Sequence, residues 1–398
     1  MHHHHEEESE MKRLDDELLN AGLELDDDSP VVCADPGRRS FLAGVGALGA
    51  AASMPMLLSA GPARAATFPE RPITLTIMYA AGGGTDVGLR AISTEMAKAA
   101  GWDINVINKP GSVGAIATAF VQDKPADGYW WLGAANYNKF VRVMGHSTTK
   151  SWEDWQYMQA ANSLASWSVK PDSPFKSFEE VVAYAKKNPG KLSISTSGTG
   201  GLWHELAAII AQAAGIQLRF VPYKGGKPAT LAGLQGEVDI AGGGVHEHIE
   251  FIKAGKLRCL QQTGKEDIAV PGGPTLPTVG KFLPQLRSTL PVGGCYNLAV
   301  RRTVPVPIIK EIEKAFVAAV KSPGFGAMAK KRYFDIDIRV GEAADRRGAE
   351  LETITTHTFN QVKDQIGKKV MSASELGLPT PDNFDKWWPP KGYKPLTA

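Results

Sequence analysis

Ile73-Thr74-Leu75-Thr76-Ile77-Met78-Tyr79 is followed by Ala80-Ala81-Gly82-Gly83-Gly84, and Thr85-Asp86 then opens an apolar-periodic stretch that runs to Ala100 and stops at Gly101. The fold is read from this passage. β-Branched residues in alternation favour an extended strand, the glycine run breaks it, and a terminal glycine closes the helix that follows. The rhythm then repeats. Ile104–Asn108 reads as a second strand, Lys109-Pro110-Gly111 as a turn, residues 115–121 as a helix and residues 129–134 as a third strand. Strand, helix and strand in succession predict a parallel, doubly wound α/β sheet.

A second set follows. Ser177 with Glu180 forms a capping box opening a helix that ends at Asn188-Pro189-Gly190. Strand Lys191–Ser195, loop Thr196-Ser197-Gly198-Thr199-Gly200-Gly201 and helix Leu202–Ala214 come next. Then come strand Gln217–Val221, the turn Pro222-Tyr223-Lys224-Gly225-Gly226, helix Pro228–Leu234 and a short strand Val238-Asp239-Ile240. Gly242-Gly243-Gly244 closes that strand, and a helix spans residues 245–254. Beyond Pro305, helix Ile308–Val320, strand Ile336–Val340 and a last helix over residues 342–365 return to α/β, and the Pro/Trp-rich tail reads as irregular chain. Two α/β sets and an α/β return predict two lobes with two chain crossovers. Lobe one takes residues 66–168 with 298–398, and lobe two takes 169–297.

The chain has 398 residues, 43% of them hydrophobic, which supports a sizeable core and two domains. Its formal charge of +2 hides an uneven distribution. Twelve carboxylates stand in residues 1–36 against two basic residues, whereas residues 66–398 carry 39 basic and 30 acidic side chains. A moderately basic body favours anionic small ligands, but its scattered acids argue against nucleic acid as a partner. Three cysteines are too few for a disulfide scaffold, and no C-x-x-C pair points to zinc. No cofactor is expected.

Residues 1–37 read as an acidic, disordered leader and residues 38–65 as a twin-arginine export signal. The signal combines Arg38-Arg39, an uncharged stretch from Phe41 to Ala60 and Ala63-Arg64-Ala65 as a cleavage site. Gly44, Gly46, Gly49 and Pro55 weaken the competing reading, a membrane-spanning helix. Gly44-x-Gly46-x-x-Gly49 matches the dinucleotide fingerprint, but no strand precedes it and the next acid is Glu70, so it is rejected.

Two strand-to-helix junctions carry glycines with hydroxyls: Gly82-Gly83-Gly84-Thr85 and Ser195 through Gly201. Helix N-termini present free N–H groups and a positive dipole end, so each junction could hold an anion. Taken singly, each is better read as a tight turn; one in each half of the chain points to a ligand. Neither matches a nucleotide-binding P-loop. His246-Glu247-His248 could suggest a metal, but H-x-H side chains diverge on a helix and surface positions are expected. His204 follows the second loop closely enough to cap a pocket or simply to pack.

The ordered series of motifs carries a resemblance. It runs through Phe68-Pro69-Glu70-Arg71-Pro72, Ala80 to Asp86 with Arg90, Asn108-Lys109-Pro110-Gly111, Pro125-Ala126-Asp127-Gly128-Tyr129 and Asn188-Pro189-Gly190-Lys191. It continues with Ser197 to Gly200 and His204, Val221 to Gly226, Gly236-Glu237-Val238-Asp239 and Ile252 to Arg258. From Phe68 to Gln365 the chain resembles the Bug-type (TctC-like) extracytoplasmic receptors of tripartite tricarboxylate transporters. The resemblance implies a two-lobed periplasmic binding protein of the Venus-flytrap, type II-like kind, without catalysis. It would act as a monomer, closing on a small carboxylate and handing it to membrane permease subunits. It also implies that Ala81, Gly82, Gly83, Thr85, Asp86 and Asn136 meet Ser197, Gly198, Thr199, Gly200 and His204 around the ligand, with Tyr223, Lys224 and Asp239 along the second wall. The chain departs from the family pattern at Ala241 to Gly244, where missing side chains predict an enlarged pocket, at Gly294-Cys295-Tyr296-Asn297 and in the Trp-rich stretch 152–167. Cys259 and Cys295 either pair or are buried separately. Two other functions compete: a secreted hydrolase using Ser197 and His204, and a ligand-sensing subunit for a membrane signalling protein.

Overall fold

The computed structural model describes residues 68–396; the leader and the export signal lie outside the described residues. Strand β1 (Ile73–Ile77) leads through the first glycine loop into helix α1 (Gly84–Ala100), which Gly101 ends in the left-handed conformation. Strand β2 (Ile104–Asn108), helix α2 (Ala115–Gln122), strand β3 (Trp130–Ala135), helix α3 (Lys139–Val143) and strand β4 (Trp155–Asn162) follow. β1 pairs in parallel with β2 and β3, Leu75 lying opposite Val106 and Trp131.

A second group of strands comes next. It comprises β5 (Ala165–Val169), helix α4 (Phe178–Lys187), β6 (Ser193–Thr196), helix α5 (Leu202–Ala214), β7 (Arg219–Pro222), helix α6 (Gly226–Gln235), β8 (Ala241–Gly244), helix α7 (Val245–Lys253) and β9 (Arg258–Gln262). β5 is the centre of an antiparallel β8-β5-β9 sheet, and β6 pairs with β7 in parallel. A bridge between Ile194 and Ile240 connects the two. After the short ribbon β10 (Ile268–Ala269) and β11 (Thr275–Leu276), strand β12 (Cys295–Arg301) returns to the first sheet. It is followed by helices α8 (Val306–Val320) and α9 (Pro323–Arg332), strand β13 (Asp335–Arg339) and helix α10 (Gly341–Gln361).

The large sheet runs β13-β4-β12-β3-β1-β2. It is mixed rather than purely parallel: β12 runs antiparallel to both β3 and β4 because it re-enters from the second sheet in the opposite sense. The chain changes sheet between Asn162 and Ala165, and again before Cys295, a few residues earlier than the expected 168 and 297. Ala165–Val169 is claimed by β8 and β9, and Cys295 by Asn162 of β4. The two crossing segments touch: Ser163 N–H donates to Gly294 O at 2.7 Å, and a Cβ on Gly293 would lie 1.6 Å from Ser163 O. Glycine is the residue that fits there.

Each sheet has its own core. Ile73, Leu75, Leu89, Trp131, Leu298 and Phe316 pack around the large sheet; Val169, Phe178, Ile194, Ile210 and Leu260 pack around the second. A third cluster joins them, with Leu202, Trp203 and Leu206 of α5 against Phe140, Trp152 and Phe359. Beside it, Lys139 Nζ lies 3.2 Å from the Glu205 carboxylate, and Thr355 Oγ1 donates to Glu205 at 2.6 Å, all three side chains buried. The tail is more ordered than expected. Ala373–Leu376 and Phe384–Trp387 form single helical turns, and Phe384 is buried against its own aromatic neighbours Trp387 and Trp388.

Candidate functional site

The first glycine loop is held from within. Asp86 is buried two residues into α1, and its carboxylate accepts the Gly82 N–H at 2.8 Å, Arg90 Nε at 2.7 Å and Asn108 Nδ2 at 2.9 Å. Asn108 Nδ2 also reaches Tyr79 O. Gly82 has φ +80°, a left-handed value that glycine tolerates without strain. Asp86 therefore braces the loop and forms no part of the adjoining cavity's lining.

That cavity lies between the two sheets and has a volume of about 30 Å³. From the first sheet's side it is lined by Tyr79, Gly83, Gly84, Thr85, Asn136 and Tyr296, and from the second by Ser197, Trp203, Gly226, His246 and Glu247. Four of the residues expected from sequence, Gly83, Thr85, Asn136 and Ser197, thus share one cavity. Asn136, Tyr137 and Asn138 are successive non-glycine residues at φ +53° to +56°, a costly conformation. It is pinned by Cys295 N–H donating to Asn136 Oδ1 and Tyr137 N–H to Asn297 Oδ1.

The remaining expected residues are elsewhere. Ala81 and Gly82 are exposed at the loop's outer side. Gly198, Tyr223 and Lys224 line a neighbouring cleft of about 230 Å³ that shares Tyr79 and Ser197 with the small cavity. Thr199 and His204 face a larger cleft with Phe220, where Gly200 N–H donates to His204 Nδ1 at 3.0 Å. Tyr223 OH donates to Glu237 at 2.9 Å. Asp239 accepts both the N–H and the hydroxyl of Ser193, which makes it a brace of the second sheet.

Three residues that the sequence places at the surface stand inside the molecule. His246, Glu247 and His248 are all buried. Glu247 Oε2 accepts the Gly244 N–H of its own helix start at 2.9 Å, and Oε1 accepts the Gly84 N–H of α1 at 3.3 Å. His246 Nε2 lies 3.1 Å from Tyr296 OH. His248 Nδ1 lies 2.9 Å from Ser168 Oγ.

Residues 241–244 do not enlarge a pocket. They form strand β8, and the space their missing side chains leave is filled: a Cβ on Gly244 would lie 2.1 Å from His246, and one on Gly243 2.7 Å from His248. Gly226 is equally committed, since its Cβ would lie 1.8 Å from Glu247 Oε1. The room these glycines leave is taken by the protein's own acid and imidazoles. The N3 position of Glu247 after Gly244 was the one signal in the sequence that could have flagged it.

Burial opposes ionisation of Glu247, but His246, the Gly244 N–H and His248 outweigh it and hold the carboxyl below its ordinary range. Burial pushes His248 down to about 4, so it is neutral. Burial, then Glu247, raises the Tyr79 phenol, which stays a donor. The thiols of Cys259 and Cys295 are separate, each pushed up to about 11 by burial. Among the described residues no cluster of three or more His, Cys, Asp or Glu could hold a metal, and no helix is long and apolar enough to cross a membrane.

Comparison with known proteins agrees with this architecture. A protein of Cupriavidus necator, the UPF0065 protein in the gbd 5' region, is 32% identical over 305 residues, covering 75% of this chain and 89% of that one. The periplasmic binding protein BugD shares the fold with a TM-score of 0.62 at 23% identity, covering 79% of this chain and all of that one. The R. palustris protein Rpa4515, solved with adipate, does so with a TM-score of 0.64 at 22% identity, covering 77% and 99%. The family model for the tripartite tricarboxylate transporter family receptor matches residues 89–348. With two sheets enclosing a cleft, a glycine loop on each side and this match across most of both, the chain belongs to the tripartite tricarboxylate transporter family of solute-binding receptors.

Proposed function

We propose that this receptor captures a small carboxylate-bearing solute between its two lobes and delivers it to the permease subunits of a tripartite transporter, without chemical turnover. Lobe one would comprise residues 68–162 with 295–396 and lobe two residues 165–292. The carrying observation is that Gly83, Gly84 and Thr85 at the start of α1 and Ser197 of the second loop line one cavity. The solute carboxylate would take N–H and hydroxyl donors from both walls, and closure would follow from bridging them. Rpa4515, alike in fold, is the protein solved with adipate. Ser197 lines the small cavity whereas His204 faces another cleft, which disfavours a hydrolytic pair.

The test is a thermal-shift and calorimetric screen over carboxylates, amino acids, sugars and amides. Saturable 1:1 binding of a carboxylate, recovered unchanged, is expected; stabilisation by sugars alone would end the reading. We further assign the chain to the periplasm through the twin-arginine route. Lysine at both Arg38 and Arg39 should strand the precursor in the cytoplasm, and normal processing of that variant would refute the route.

A further inference from the structure

Between β2 and α2 the backbone takes positive φ at four successive residues: Gly111 at +138°, Ser112 at +44°, Val113 at +48° and Gly114 at +109°. Glycine adopts such values freely, but a β-branched residue there is a rare and costly conformation. The surroundings hold Val113 in it. Gly114 N–H donates to Gly111 O at 2.9 Å, and Thr118 Oγ1 donates to Gly114 O at 2.8 Å. Asn138 Nδ2 in turn donates to Thr118 Oγ1 at 2.6 Å, and Asn138 is itself at φ +56°.

This backbone places the buried Val113 side chain over the second glycine loop: a Cβ on Gly198 would lie 3.1 Å from Val113 Cγ1. Gly200 of the same loop leaves room for Met144 in the same way, and its N–H donates to His204 Nδ1 behind the loop. Val113 and Met144 belong to the apolar cluster that also holds Leu202, Trp203 and Leu206 of α5. Two clefts of about 230 and 380 Å³ flank the contact, and Ser112, Val113 and Gly198 line both. The smaller of them shares Tyr79 and Ser197 with the cavity between the sheets, whereas Val113 is not part of that cavity's lining.

We propose that Val113 is a closing contact of the receptor: a knob fixed in advance by its left-handed backbone, which seats over Gly198 and slows the solute's escape. A side chain already set by its backbone loses little freedom when the lobes meet, so its burial favours the closed state almost in full. Val113 is thus a positioning residue that acts through Gly198 and does not itself recognise the solute. This rests on the reading that a solute is held between the lobes, and adds what retains it there.

The experiment compares the full mature receptor with its Val113→Ala and Val113→Gly variants. Stopped-flow fluorescence, using Trp203 in the cavity wall as reporter and adipate as the probe, gives the rates of binding and release. Both variants should release adipate roughly tenfold or more faster, with association changed by less than about twofold. Val113→Gly should melt above Val113→Ala, because glycine takes the left-handed conformation without strain. Unchanged release in both variants overturns the proposal while leaving the carboxylate reading intact, since Val113 then only packs. So does a Val113→Gly protein that melts below Val113→Ala, because the knob is then not held against strain. If adipate binds none of the three proteins, adipate is removed as a solute and small-angle scattering without it decides. A larger radius of gyration in both variants than in the wild type sustains the closing contact, and equal radii overturn it.

Discussion

The main-chain N–H of Gly84 donates to Oε1 of Glu247, joining the start of α1 to the start of α7 across 163 positions of sequence. One carboxylate thereby caps two helices, its own through Gly244 and the facing one through Gly84. The geometry leaves no room for a side chain at Gly84: a Cβ would lie 2.0 Å from His246 Nε2 and 2.4 Å from Tyr296 OH.

Gly84→Ala should therefore push the two walls apart, at a cost of about 1–3 kcal/mol. Equilibrium denaturation would read the loss and small-angle scattering a larger radius of gyration. Gly83→Val is the contrast, because the nearest atom to its Cβ is 3.5 Å away. It should keep the melting temperature and lose solute binding; normal binding in Gly83→Val would remove the first loop from the site.

Gly293→Ala should be far more damaging. Its Cβ would sit 1.6 Å from the carbonyl oxygen of Ser163, a backbone atom that cannot swing aside as a side chain can. We expect a loss above about 3 kcal/mol or failure to accumulate soluble protein, beyond the usual range for one substitution. A near-native melting curve would show that the crossing segments lie further apart.

Lys139 and Glu205 form a buried ion pair between the two halves. Lys139→Met alone should destabilise by about 3–5 kcal/mol because it strands the acid, whereas Lys139→Met with Glu205→Leu should recover most of the loss. Chemical denaturation of the two single variants and the double variant measures the coupling; strict additivity would argue against the pair.

His248 gives the acid limb a definite sign. Its folded value is about 4 and its ordinary value 6.5, so below 6.5 the unfolded chain binds the proton more readily. Stability is complete above pH 6.5 and is lost as pH falls toward 4, by up to about 3 kcal/mol. His248→Gln should flatten that part of the stability profile. An unchanged slope in the variant would assign it to carboxylates such as Glu247 instead.

Much of the fold was legible because its signals are local. Ser177 accepts the Glu180 N–H as a helix cap, and Gly101, Gly215 and Gly236 end helices in the left-handed conformation, each dictated by residues within a turn of it. The stretch 152–167 was less legible. β4 is almost wholly buried, and its apolar side chains (Trp155, Tyr157, Met158, Ala160 and Ala161) are interspersed with Gln156 and Gln159 out of strict alternation, so no period of two marked it as a strand.

By itself, then, the sequence determined β1, β2, β3, β6, β7 and β13, the helices α1, α2, α4 to α8 and α10, and the glycine loops at the starts of α1 and α5, because capping and backbone freedom act over a few residues. Only the tertiary structure decided what those glycines are for. Ala241 to Gly244 becomes a strand because β5 supplies its ladder, and the volume it leaves empty draws His246, Glu247 and His248 inward. Beyond its N3 position, nothing local distinguishes a buried acid on α7 from an exposed one. The difference is the N–H of Gly84, brought to it by packing two separately built sheets against each other.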